Sequence, residues 1–352
     1  MPRLIAAKPP PQAHFVVSLP LSLMSAMSLV CVAPLFEGLG AWLSETRQRL
    51  DPAFLHEMAL VLGFPGRYQR FTEQVYAALL SENPQLCYQE FVDGLRALPG
   101  DAFVGMAHRA IAAGASSPLP LAEVPALLAD VARLEGHLRQ ADFDVDLDAA
   151  VTLLRDLAQL KTRFIAAVER FWQEVYQAEW LATLPLMERS VTTHRRQRYR
   201  LGFPDLFMAV TGRLLPQAHA DLSPEAVRFV PSCYIGPYFT FMRPAGVLTV
   251  FYNCRTMPVG ERSSEKPGVF PLLKALADET RLQIVDMLRG REMYAQQIVE
   301  RLDISQAAVS RHLRLMVSAG VLRVRREGGA KFYSLDAAAL NYLADVLREL
   351  GG

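Results

Sequence analysis

The chain has 352 residues, of which 51% are hydrophobic and 21% charged. That is enough for two or three domains of roughly 100–200 residues each, and it excludes a largely disordered chain, a collagen-like repeat and a small disulfide scaffold. Lys and Arg number 37 against 36 Asp and Glu, so only the distribution of charge carries information about partners. The four cysteines, Cys31, Cys87, Cys233 and Cys254, show no CxxC spacing. So few in so long a chain suit a reducing compartment.

Residues 15–36, FVVSLPLSLMSAMSLVCVAPLF, carry no charge. The run is long enough to qualify formally as a membrane span, and Arg3 and Lys8 ahead of it also raise a signal peptide. Pro20, Pro34, four serines and the Pro9–Pro11 run oppose both readings. The stretch reads instead as a strand followed by the start of a buried helix. Residues 1–190 read as the helical part of an N-terminal sensor domain. Its longest pattern runs from about Asp148 to Leu184. Val151, Leu154, Leu157, Leu160, Phe164, Val168 and Phe171 form one apolar face, and Pro185 is the expected stop.

Residues 191–255 read as the mixed α/β part of the same domain. The runs 227–233, 238–242 and 246–252 are rich in β-branched and aromatic residues, and the breaks at 235–237 and 244–246 suggest a short antiparallel meander. In a meander Cys233 and Cys254 would sit two strands apart, about 9–10 Å. That exceeds the roughly 7 Å Cα limit for a disulfide, so a redox pair is disfavoured and only a different strand order would permit it. Residues 256–268, TMPVGERSSEKPG, read as a linker.

Three other features of the N-terminal domain have both a bland and a functional reading. Trp172, Tyr176 and Trp180 recur every four residues; core packing is favoured over a ligand pocket. The basic run His194–Arg200 is read as a solvated or acid-paired cluster rather than a contact to DNA or an acidic ligand. Asp142, Asp144, Asp146 and Asp148 suggest a calcium loop, but the positions that need Gly and Glu hold Leu147 and Leu153, or Ala149 and Arg155. A helix N-cap cluster fits better. No Gly-x-Ser-x-Gly, Walker A, HExxH or complete GxGxxG motif occurs. The expectation is no enzyme, no catalytic residue and no cofactor.

Residues 269–352 carry the most information. Apolar residues at helical spacing give helices around Leu272–Leu276, Leu282–Leu288 and Ile298–Leu302. A turn at Asp303-Ile304 leads to a fourth helix with Ser305 as N-cap and Gly320 just past its end. The runs Val321–Arg326 and Lys331–Leu335 form a hairpin through Glu327-Gly-Gly-Ala330, and a last helix covers about 337–350. The order is that of a winged helix-turn-helix. On a helical wheel Val309, Leu313 and Met316 face the core. Ala307, Arg311 and Arg314 lie opposite, with Gln306 and Ser310 on the flanks. An amide, a hydroxyl and a guanidinium on the first turns suit base edges in a major groove. Between Gln306 and Leu335 stand six positive residues, Arg311, Arg314, Arg323, Arg325, Arg326 and Lys331, against one acid, Glu327. Arg323 and Arg325 share one strand face, placed to meet phosphates.

The stretches Leu273–Val285, Ile304–Leu313 and Ala319–Gly328 together resemble the ArsR/SmtB transcriptional regulators, over about the last quarter of the chain. The resemblance implies a homodimeric repressor that binds double-stranded DNA through a recognition helix at Ser305–Ser318. It implies dimerisation through the first and last helices of the unit, about 268–277 and 337–350, with Leu340, Leu343, Val346, Leu347 and Leu350 as the apolar seam. Metal-sensing members carry cysteines in a box that corresponds here to Glu292–Gln297. Tyr294 and Gln296 stand where the thiolates would be, and neither is a soft-metal ligand, so no metal is expected.

The fold expected is thus mainly α with small β: a large helical N-terminal domain with a short meander, then a winged helix-turn-helix. The function expected is a sequence-specific DNA-binding regulator with a non-metal effector or protein partner sensed by the N-terminal domain. The competing reading is a small-molecule enzyme or binding protein with a vestigial helix-turn-helix. One membrane span with Arg3 and Lys8 inside would carry the DNA-binding end outside, against the positive-inside rule. A cytoplasmic location without a membrane partner is therefore expected.

Overall fold

The computed structural model describes residues 12–36, 38–62, 69–114, 119–140, 146–197, 201, 203–213, 226–236, 238–243, 247–255, 269–327 and 330–350. The expected linker at 256–268 lies outside them. The charge-free stretch supplies α1 (Leu19–Val32), while the strand β1 (Gln12–Phe15) lies ahead of it and ends at its first residue. Ser18 caps α1, its hydroxyl accepting from the Leu21 N–H at 3.3 Å, and Pro20 falls in the first turn, where a missing N–H costs nothing. Among the described residues no helix is long and apolar enough to cross a membrane.

Helices α2 (Ala41–Arg49), α3 (Pro52–Leu62), α4 (Gln69–Leu79), α5 (Tyr88–Ala97), α6 (Gly100–Gly114), α7 (Val124–Ala129), α8 (Val131–Gln140), α9 (Leu147–Arg155), α10 (Leu157–Phe171), α11 (Gln177–Gln197) and α12 (Phe203–Thr211) follow. α10 is the central rod. It packs against α3, α5, α6 and α9. Its Phe164 closes an edge-to-face cluster with Phe71 and Phe103 at centroid distances of 5.2 and 5.9 Å.

The long pattern from Asp148 to Leu184 is not one helix. It breaks at Asp156, whose backbone (φ −124°, ψ 70°) leaves the helical region. It then passes through one π-helical turn, Trp172–Tyr176, and continues past Pro185 to Gln197. Pro185 does not stop α11 because it faces solvent, where the carbonyl it leaves unpaired can be hydrated. Trp172, Tyr176 and Trp180 are all buried, as core packing requires. Asp146 caps α9 through the N–H groups of Asp148 and Ala149; Asp142 and Asp144 lie outside the described residues.

The strands of residues 191–255 do not form a meander. β2 (Ala226–Ser232), β3 (Thr240–Met242) and β4 (Leu248–Asn253) join β1 in a mixed sheet of order β1-β2-β4-β3. β1, β2 and β4 run parallel, and β3 alone is antiparallel to β4. β2 and β4 are buried almost throughout. Burial on both faces suits parallel strands rather than a half-exposed meander, and the one charge inside β2, Arg228, is buried with its guanidinium donating to the Leu80 and Ser81 carbonyls at 3.3 and 3.1 Å. The basic run at the end of α11 is partly absorbed into this core. His194 is buried, its Nδ1 2.8 Å from the Ser190 carbonyl. Arg195 donates to the Phe15 carbonyl at the end of β1. Residues 198–200 lie outside the described residues.

The C-terminal unit has a separate core built from Leu272, Ile284, Leu288, Met293, Ile298, Val309, Leu313, Met316, Val321, Leu343, Val346 and their neighbours. Its elements are α13 (Val269–Leu276), α14 (Glu279–Met287), β5 (Met293–Tyr294), α15 (Ala295–Leu302), α16 (Gln306–Ser318), β6 (Leu322–Glu327), β7 (Ala330–Leu335) and α17 (Ala337–Leu350). The strands pair antiparallel in the order β5-β7-β6. This is the winged helix-turn-helix, with β5 as an addition that the sequence did not signal.

Candidate nucleic-acid interface

The turn that aims α16 is set by backbone chemistry. Asp303 takes the left-handed conformation (φ 53°) and ends α15, a conformation that Asp tolerates better than most residues. Ser305 then caps α16, its Oγ accepting from the Ala308 N–H at 3.2 Å. The far end closes as a Schellman turn. The Val321 N–H donates to the Met316 carbonyl at 2.9 Å and the Gly320 N–H to the Val317 carbonyl at 3.0 Å. Gly320 supplies the positive φ this turn needs.

Between these caps, Val309, Leu313 and Met316 point into the core. Ser305, Gln306, Ala307 and Arg311 are exposed, and Ser310 is half-buried. Arg314 departs from the wheel. Its guanidinium lies 5.6 Å over the ring of Phe36, and its Nε is buried without a hydrogen-bond partner. The next residue, Leu315, is buried with the apolar cluster of the N-terminal helices. The second half of α16 is thus partly covered on the side that a lone helix would expose, while its first turns present polar groups to solvent.

A second helix pair fixes the base on which α16 sits. Asp278 caps α14 by accepting from the Arg281 N–H at 2.9 Å. The Arg281 side chain, itself buried, donates to the Ala275 and Lys274 carbonyls at 2.6 and 3.2 Å. It closes the corner between α13 and α14, whose last carbonyls would otherwise lack partners. His312 of α16 sits with Nδ1 3.8 Å from Asp278.

On the wing, Arg323 and Arg325 both reach solvent, yet each has an acid partner. Arg323 is held in a two-pronged bond to Asp336 at 2.9 and 3.0 Å. Arg325 donates to Glu292 at 2.8 Å and stacks 4.9 Å over Phe332. Glu292 is 33 residues away in sequence. It arrives because β5 pairs with β7, Met293 opposite Tyr333. A count of charge along one stretch of chain could not include it. Such exposed pairs contribute only about 0–1 kcal/mol, so a phosphate can compete for either arginine. Lys331 is exposed; the side chain of Arg326 and the hairpin tip at 328–329 lie outside the described residues.

Residues 276–325 match a family model described as a helix-turn-helix domain. Over 90 residues the chain is 37% identical to the transcriptional activator HlyU of Vibrio cholerae, spanning 26% of this chain and 82% of that protein. It is 38% identical over 69 residues to the transcriptional repressor SdpR of Bacillus subtilis (20% and 77%). It is 32% identical over 79 residues to an arsenical resistance operon repressor of Staphylococcus aureus (22% and 73%). The chain belongs to the ArsR/SmtB family of transcriptional regulators. This membership rests on about a quarter of the chain.

In this ArsR/SmtB protein the box Glu292–Gln297 has structural duties. Glu292 holds Arg325, Met293 is buried, and Tyr294 meets Phe332 edge-on at 6.2 Å. The Gln297 Oε1 caps α15 by accepting from the Tyr294 N–H at 3.1 Å. The expected dimer seam is divided. Leu343 and Val346 of α17 are spent on the unit's own core, while Leu347 is 45% and Leu273 of α13 is 38% exposed. α13 and α17 pack side by side.

Proposed function

We propose that this ArsR/SmtB protein is a sequence-specific DNA-binding regulator acting as a homodimer, with repression as its output. The observation that carries the reading is the exposed first part of α16. Gln306 and Arg311 reach solvent from a helix capped at both ends and seated on a packed core. An amide suits adenine and a guanidinium suits guanine in a major groove, while Ser305, Ala307 and Ser310 line the same approach. Arg323, Arg325, Arg326 and Lys331 on the wing supply phosphate contacts; Arg314 contributes only if α16 leaves Phe36. The N-terminal helices serve as the sensor of a non-metal effector or protein partner, since Tyr294 and Gln296 replace the soft ligands of metal-sensing relatives.

A gel-shift titration on the region upstream of the protein's own gene tests the reading directly; absence of any sequence-selective shift overturns it. In the same assay Arg325→Ala is expected to weaken binding to all sequences alike. It should lower the slope of log affinity against log salt by about 1. A change confined to one sequence would remove Arg325 from the phosphate-contact role. The homodimer is tested at the leucine left outside the core. Leu347→Glu places a charge on the proposed seam and is expected to convert a dimer to a monomer in sedimentation velocity with helix content unchanged. A dimer that survives it puts the interface elsewhere.

A further inference from the structure

The parallel pairing of β2 and β4 brings together two thiols that a meander would separate. The ladder ends at Ser232 opposite Asn253. One residue on, the Cys254 N–H donates to the Ser232 carbonyl at 3.0 Å. Cys233 and Cys254 therefore leave adjacent strands at the same level. Neighbouring strands lie about 4.8 Å apart, inside the Cα window of roughly 4.4–6.8 Å for a disulfide. Their sulfur atoms are 3.0 Å apart, both side chains being buried. Arg255 is beside them, its Nε donating to the Cys233 carbonyl at 2.9 Å. We infer that Cys233 and Cys254 are a redox-active dithiol that a small hydroperoxide closes to a disulfide, and that closure alters DNA affinity.

The two sulfurs are not equivalent. The hydrogen bond from Cys254, with the Arg255 cation, holds the Cys233 thiol below its ordinary range despite burial, and the same bond pushes Cys254 up. Cys233 is the attacking thiolate and Cys254 the resolving thiol. The Cys233 sulfur attacks the outer oxygen of the hydroperoxide and the O–O bond breaks. The departing alkoxide or hydroxide takes up the proton that Cys233 released, and Cys233 becomes a sulfenic acid. The Cys254 sulfur then bonds to that of Cys233; the S–O bond breaks and hydroxide leaves as water with the Cys254 proton. Two thiols lose two electrons and the peroxide gains them. Disulfide closure needs two sulfurs in contact, and among the described residues Cys233 and Cys254 are such a pair. Cys31 is buried, its thiol pushed up to about 12 by that burial, and Cys87 is an exposed helix cap. Cys254 also stands at the end of the N-terminal sheet, 15 residues before α13 begins at Val269 in the chain. The effect on DNA rests on the function proposed above.

The test uses the full-length reduced protein and equimolar hydrogen peroxide, followed by alkylation under denaturing conditions and peptide mass analysis. Cys233 and Cys254 are expected to lose alkylation together and regain it with dithiothreitol, while Cys31 and Cys87 stay alkylated. In Cys254→Ser, Cys233 is expected to be trapped by dimedone as a sulfenic acid. Oxidation of Cys87 with the pair still fully alkylated overturns the inference. Binding to the upstream fragment, read by fluorescence anisotropy, is expected to change about fivefold or more on oxidation and not to change in Cys233→Ser. Equal affinity in both states overturns the coupling. Failure of both states to bind overturns the DNA-binding reading instead, and alkylation still decides the thiol pair.

Discussion

Arg311→Ala lowers affinity for the operator by about 1–3 kcal/mol, or roughly 5- to 150-fold, and relaxes preference at one base position. Arg311 stands one turn and a little more into α16, exposed and on the side opposite Val309, Leu313 and Met316. The first turns of a recognition helix are the part that reaches base edges. The loss should be large on the operator and small on unrelated DNA. Competition titrations with single-base operator variants measure this. Arg311→Lys is the sharper comparison. It keeps the charge but not the fork, so it should retain non-specific binding while losing most of the discrimination. Equal losses on every sequence would move Arg311 to the phosphate backbone and leave Gln306 as the reader.

Leu313→Ala destabilises the winged unit by about 2–5 kcal/mol, because it removes a buried side chain and the surrounding core relaxes only partially into the space left. Leu313 is 1% exposed and packs with Val309, Met316, Ile298 and Leu343 in a core separate from that of the N-terminal helices. For a unit of under 100 residues, each kcal/mol moves the midpoint by about 4–8 °C. Calorimetry should therefore show a transition lowered by about 8 °C or more, with a second transition, that of the N-terminal helices, in place. DNA binding should fall in step, because α16 loses the face that seats it. If the whole protein instead melts as one shifted transition, the two cores are energetically one, and the contact of Arg314 with Phe36 is the first place to look for the coupling.

These two predictions draw on different sources. The seat of Leu313 was legible in the sequence, because apolar residues at 309, 313 and 316 can share a face only on a helix. The caps at Ser305 and Gly320 were legible too: a side-chain oxygen before the first turn and a residue free to take positive φ after the last are requirements within a few bonds of the helix ends. The wing was legible from its alternation and its glycines. The packing of Arg314 over Phe36 was not, since a wheel shows which side of a helix is polar but not what lies across from it. Nor were the partners of Arg323 and Arg325. Asp336 was near enough in sequence to suspect, whereas Glu292 comes to the wing only through the pairing of β5 with β7.

The sheet marks the boundary most clearly. Runs of apolar residues identified three of its four strands, but strand order is a property of segments far apart in the chain. The parallel neighbours β2 and β4 enclose β3 in sequence, and β1 joins across almost the whole helical body. By itself the sequence determined the mainly helical class, where α16 starts and stops, and the winged class of the last quarter, because those depend on periodicity and on groups a few residues apart. Only the tertiary structure decided which arginines face solvent, which acids hold the wing, and that Cys233 meets Cys254, because each of these is a meeting of side chains whose separation along the chain says nothing about their separation in space.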